Sequence, residues 1–223
     1  MPTGHPTQQW SGSFELKLAW KILDPGKDDP SRFFAEDGYV MDQGPDGKPV
    51  QKKVKVGLVG MHIGHKSETS PQWIWATFEQ VDNLDADPVD HPKLHASFND
   101  VNCPICTTNT QPQKGANGVY PRIPVQLSRT IPIPPDKVHL NAEVATALSK
   151  SKSVWQYYQL IDTQWPTDPT AAPSAWDSGL AQAVTNKPGG QPTPVFLTNI
   201  TMESYFQSGN QPAATSRKRC RAA

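Results

Sequence analysis

The chain has 223 residues, with Lys+Arg and Asp+Glu both at 21, so its formal net charge is zero and no global field draws it to nucleic acid or an anionic membrane. Hydrophobic residues make up only 36%, the mean hydropathy is -0.58 and 23 prolines demand long irregular connections. Seven tryptophans still supply enough apolar area to anchor a core, which excludes wholesale disorder.

No run approaches the roughly 20 apolar residues of a spanning helix, and residues 1–13 lack both the basic and the apolar regions of a secretory signal. From Phe14 the chain alternates: Phe14, Leu16, Leu18, Trp20 and Ile22 share one face while Glu15, Lys17 and Lys21 lie on the other, the period of a half-buried strand. Asp24-Pro25-Gly26 closes it with turn chemistry, and Arg32–Met41 reads as a second strand. The 44–49 segment, GPDGKP, is a turn into the longest stretch with strand character, Val54–Asn83.

Within that stretch, Lys53–His65 forms one strand with Val54, Val56, Leu58, Gly60 and His62 on one face. Val59, Met61, Ile63 and His65 lie on the other, so both faces are apolar enough to be covered. Gly57, Gly60 and Gly64 mark a bend, a bulge or close approach by a neighbour. Ser67–Gln72 is a polar loop, and Trp73–Val81 returns as the antiparallel partner, with Trp73, Trp75, Thr77, Glu79 and Val81 sharing a face.

Periodicity fails from Leu84 to Pro135, apart from a short strand expected near Ile123–Ile133; so long an irregular segment suggests a functional excursion or a pinned loop. Asn141 reads as the N-cap of a brief helix, Ala142–Ser149. Ser153–Gln164 and Val195–Phe206 have strand composition, separated by a second Pro/Ala/Gly-rich connection. The sum predicts a mainly β fold, an antiparallel β-sandwich with long Pro-rich loops and one short helix, as a single domain over 1–207. Residues 208–223 read as a disordered basic tail, with Arg217, Lys218, Arg219 and Arg221 a solvated cluster rather than a binding site.

Four constellations could carry chemistry. Cys103 and Cys106 form a CxxC, the spacing of redox sites, zinc knuckles and tight disulfides, but their flanks lack the helix that activates a redox thiolate. His91, His95, Cys103 and Cys106 are a soft-ligand set that zinc accepts; a Cys103–Cys106 disulfide beside surface histidines is the simpler alternative. His62 and His65, three apart on a strand, face opposite sides and cannot chelate one ion together without a bulge at Gly64; each is an isolated ligand, an acid–base group or a hydrogen-bonded core histidine. Trp73 and Trp75, with Glu79 further along the same face, could form a platform for a sugar or ring ligand, although aromatic pairs at this spacing also build cores. The GxSxG, HExxH and P-loop patterns are absent.

Five blocks, FELKLAWKIL, VGLVGMHIGHK, PQWIWATFEQVDN, SVWQYYQLIDTQWP and LTNITMESYFQ, resemble a group of bacterial exported proteins labelled cytochrome c family proteins, in order from about residue 3 to Gln207. The resemblance implies a periplasmic protein of electron transfer, with a redox partner protein and a haem c attached at a CxxCH shortly after the last block. Here the chain instead reads SGNQPAATSRKRCRAA, with a lone Cys220, and Cys106 is followed by threonine. Covalent attachment needs two thiols and an adjacent histidine. The expectation is therefore an incomplete or haem-less version, truncated or frame-shifted at its end, with His62 and His65 as the candidates for holding haem non-covalently. A binding module using the Trp-rich hairpin and a zinc-stapled structural protein are the alternatives.

Overall fold

The computed structural model describes residues 12–67, 70, 72–84, 95–99, 108–109, 116, 126–168, 192–194 and 197–203. Its elements are β1 (Ser13–Ile22), β2 (Ala35–Gln43), β3 (Pro49–Lys66), β4 (Ile74–Gln80), α1 (Pro135–Ser149), β5 (Tyr158–Pro166) and the two-residue β6 (Pro192–Thr193). The fold is mainly β and antiparallel with one helix, and β1–β5 share one sheet.

The sheet is organised around β3. Gly57 pairs with Lys21 of β1 and with Ala35 of β2, and a strand has only two edges, so β1 takes one edge and β2 the other. Ile63 likewise pairs with Leu16 of β1 and Ala76 of β4. β2 and β4 therefore follow each other along the same edge of β3, which explains its 18-residue length. The register of β1 slips between Ala19 and Trp20, leaving Val59 as the extra residue of a bulge on β3. A second slip between Thr77 and Phe78 leaves Ile161 as the extra residue on β5.

The apolar core is small and continuous through Phe98: Leu23, Phe33 and Val59 on one side of it, Leu127 and Ile200 on the other. This layer of turns and loop residues covers one face of the sheet. Beside it runs an aromatic chain from Trp20 to Phe34, Trp155 and Tyr158, with centroid spacings of 6.1, 5.2 and 5.1 Å. The Tyr158 hydroxyl donates to Leu58 O and accepts from the Phe34 N–H, both at 2.9 Å, tying β5 to β3 and to the start of β2.

Five expectations need correction. The apolar face of β1 is not half-buried: Phe14 and Leu16 are each 60% exposed, because no described element packs over that end of the strand, whereas Trp20 lies beside Phe34. The helix begins at Pro135, not after Asn141. Proline is favoured at the first helical position, where its missing N–H has no helical acceptor anyway. Asn141 sits mid-helix, and its side-chain amide exchanges two 2.8 Å bonds with the N–H and C=O of Leu160, docking α1 on the edge of β5. Residues 154–157 form a 3-10 turn before β5, and the expected Ile123–Ile133 strand is not formed over residues 126–133, where Gln126 makes only an isolated bridge to Thr108. Residues 200–202 of the supposed Val195–Phe206 strand form a turn, because Asn199 and Glu203 close it with their own side chains.

Candidate functional site

Strand alternation puts Trp75, Thr77 and Glu79 of β4 on one face, and pairing sets Gly64, His62 and Gly60 of β3 beside them. The 199–203 turn lies on this row. An added Cβ on Gly60 would meet Thr201 Oγ1 at 2.0 Å and Asn199 Oδ1 at 2.9 Å, so only glycine admits the turn this close. Asn199 Oδ1 accepts from the Thr201 N–H at 2.9 Å and the Thr201 hydroxyl at 2.6 Å. Glu203 Oε2 accepts from the Asn199 N–H at 2.7 Å, a self-capped turn.

The turn is then bolted to the sheet. Asn199 Nδ2 donates to Thr77 Oγ1 at 2.8 Å and to Phe78 O at 2.9 Å. The Ile200 N–H donates to Glu79 Oε1 at 2.7 Å, while Arg129 donates to Glu79 Oε2. His62 Nε2 lies 3.1 Å from Glu203 Oε1. Glu79, Thr77 and Asn199 are fully buried, and Glu79 has its ionisation opposed chiefly by that burial, which raises its proton affinity while Arg129 and the Ile200 amide pull the other way. Both oxygens of Glu79 are held, one by the Ile200 N–H and the other by Arg129, and Glu203 is the one hydrogen-bonding partner of His62 among the described residues. What this seam does chemically is hold a turn in place.

A second ion pair locks the far end of β4. Arg32 donates twice to Asp82, both at 2.7 Å, and its guanidinium stacks 4.3 Å from the centre of Tyr157. Gln80 joins it, donating to Asp82 Oδ2 at 3.0 Å and accepting from the Asp82 N–H at 2.6 Å.

The sequence candidates distribute as follows. His62 and His65 do lie on opposite faces: His62 is on the seam, whereas the His65 ring stacks on Phe14 at 4.2 Å and 8°. Trp73 and Trp75 are half-buried, 5.7 Å apart and tilted by 37°, with Lys66 Nζ 4.7 Å from the Trp73 ring. Their rings lean over Gly64, within about 3 Å of where its Cβ would be. Glu79 does not join them at a surface, since it is buried beneath Ile200. His91, Cys103 and Cys106 lie outside the described residues, as do 208–223, and His95 is exposed. No cluster of three His, Cys, Asp or Glu side chains that could hold a metal occurs among the described residues.

Among the described residues, His62 and His65 do not fit as a pair of ligands to one haem. Nε2 of His62 is engaged by Glu203, and His65 faces away on the other side of β3, so the two cannot flank one iron. The sequence contains no CxxCH to supply thioethers. Sequence reasoning missed Arg129, Asn199 and Glu203. Arg129 has no local signal, but Asn199 followed by Glu203 is a turn-capping pattern obscured by the β-branched residues around it. Comparison with protein-family models, with curated proteins and with solved structures finds no match.

Proposed function

We propose that this chain is a haem-less, non-catalytic version of the exported cytochrome c family proteins that it resembles, a scaffold working beside periplasmic electron transfer rather than carrying the electron itself. One observation supports it above others. The five blocks that carry the resemblance converge on a single construction: β1, β3, β4 and β5 pair in one sheet, and the 199–203 turn is tied to it through Asn199–Thr77, Ile200–Glu79 and His62–Glu203. Those blocks are thus accounted for by a shared architecture, in which His62, Glu79, Asp82 and Glu203 are each held by a partner. The test is a hemin titration of the purified chain, followed by Soret absorbance, alongside a pyridine haemochrome assay after co-expression with cytochrome maturation proteins. The scaffold reading expects no covalent haem and no low-spin spectrum. A low-spin spectrum that disappears in His62→Ala or His65→Ala would overturn it.

A second reading is supported by the indole pair. Trp73 and Trp75 keep part of their rings in solvent beside the ammonium of Lys66, an arrangement suited to a sugar or planar anionic ligand. It expects quenching of tryptophan fluorescence by such a ligand that is abolished by Trp73→Ala and by Trp75→Ala. Quenching that survives both substitutions removes this reading.

A further inference from the structure

We propose that the outer edge of β1 is a self-association surface, on which a second copy of this chain pairs antiparallel about a two-fold axis through Leu16. β1 stands at the end of the strand order and pairs with β3 alone, so its other edge is open among the described residues. Every residue from Ser13 to Leu18 is exposed. An open edge of this kind is a template for a further strand, and proteins that avoid such pairing place proline, bulges or uncompensated charge along it. β1 contains no proline, and its only register slip comes after Ala19, beyond the segment in question.

Lys17 would by itself guard the edge, yet the sequence around it is self-complementary. In Phe14-Glu15-Leu16-Lys17-Leu18, apolar residues occupy the even positions and opposite charges flank the centre. Antiparallel pairing about Leu16 sets Glu15 against Lys17 of the second copy and Lys17 against its Glu15. On the other face it sets Leu16 against Leu16 once, on the axis, and Phe14 against Leu18 twice by symmetry. The interface is isologous, as a two-fold requires. Neither Glu15 nor Lys17 makes an ion pair within the described chain, so both are available.

Other registers fare worse. Centring on Leu18 sets Glu15 against Lys21, whose ammonium is already held by Asp28 at 2.7 Å, and leaves Lys17 opposite alanine. In-register parallel pairing sets Glu15 on Glu15 and Lys17 on Lys17, like charges directly opposed. Only the Leu16-centred register satisfies both charges while keeping the apolar faces aligned.

Sedimentation equilibrium on the full chain tests this, with circular dichroism confirming that each variant folds. The wild type should dimerise, Lys17→Glu or Glu15→Lys alone should weaken the dimer by about tenfold or more, and the double reversal E15K/K17E should restore it. A cysteine pair tests the register independently of charge. With Cys103, Cys106 and Cys220 replaced by Ser, Leu16→Cys should form a disulfide-linked dimer on mild oxidation, because the two Leu16 positions face each other at strand-pair distance. Leu18→Cys, facing Phe14, should not. A wild type that stays monomeric at all concentrations, a double reversal as weak as the single ones, or cross-linking of Leu18→Cys equal to that of Leu16→Cys would each overturn the proposal.

Discussion

Gly60→Ala places one methyl group against the turn that closes the polar seam, and its cost follows from the distances. The new Cβ would lie 2.0 Å from Thr201 Oγ1, 2.9 Å from Asn199 Oδ1 and 3.1 Å from Thr201 Cβ. Ordinary contact needs about 3.5 Å, so the turn must retreat by roughly 1 Å or more. Retreat stretches the bonds from Asn199 Nδ2 to Thr77 Oγ1 and Phe78 O, and the bond from the Ile200 N–H to Glu79. Two neutral bonds at about 1 kcal/mol each and one to a charged acceptor at about 1.5–3 kcal/mol bound the loss. The gain from replacing a strand glycine offsets about 0.5–1 kcal/mol. The expected net destabilisation is about 3 kcal/mol. Urea denaturation followed by circular dichroism measures it as a fall in midpoint at unchanged slope. In a Thr201→Ala background the same change should cost roughly half as much, since the nearest obstructing atom is gone while Asn199 Oδ1 remains. A cost below about 0.5 kcal/mol, or an identical cost in both backgrounds, would refute the close-packed turn.

Two further outcomes follow from the other buried polar groups. Burial pushes the Tyr158 phenol up to about 12, against the weaker opposing effect of the Phe34 N–H. The folded state therefore holds its proton while the unfolded tyrosine loses one near its ordinary value of 10. Stability should consequently fall as pH rises from about 10 to about 12, and the difference between wild type and Tyr158→Phe, measured by denaturation across that range, should isolate the effect; equal slopes would contradict it. Asp82→Ala leaves the largely buried Arg32 guanidinium without its carboxylate and should cost about 3 kcal/mol or more in the same denaturation assay. Asp46→Ala, which breaks an exposed pair with Lys48, should cost nearly nothing; similar losses in the two variants would contradict the distinction.

The strands were legible where a period of two was clean. Phe14–Ile22 alternates and pairs, and the Lys53–His65 and Trp73–Val81 strands meet in the expected antiparallel hairpin. Parity also separated His62 from His65 correctly, since side-chain direction on a strand needs no tertiary information. What parity cannot tell is which face is covered. The apolar side of β1 stays largely open because whether another element packs over it is decided by the whole fold rather than by the strand. The start of α1 is hidden because Pro135 closes a stretch without periodicity, although proline followed by Asp136 also suits a helix N-terminus. The seam was half visible. Glu79 and His62 stood out by type, but Arg129 comes from a stretch with no pattern, 50 residues along the chain. The turn was misread because Ile200 and Thr201 favour strands while Asn199 and Glu203 bond locally and win.

A buried polar seam fixes the 199–203 turn onto the sheet. Amide hydrogen exchange at Ile200 tests it most directly, because that N–H points at Glu79 Oε1 rather than at a strand partner. The account predicts exchange as slow as that of the mid-sheet amides of β3, governed by global unfolding. Exchange as fast as in the exposed turn at 45–48 would contradict it.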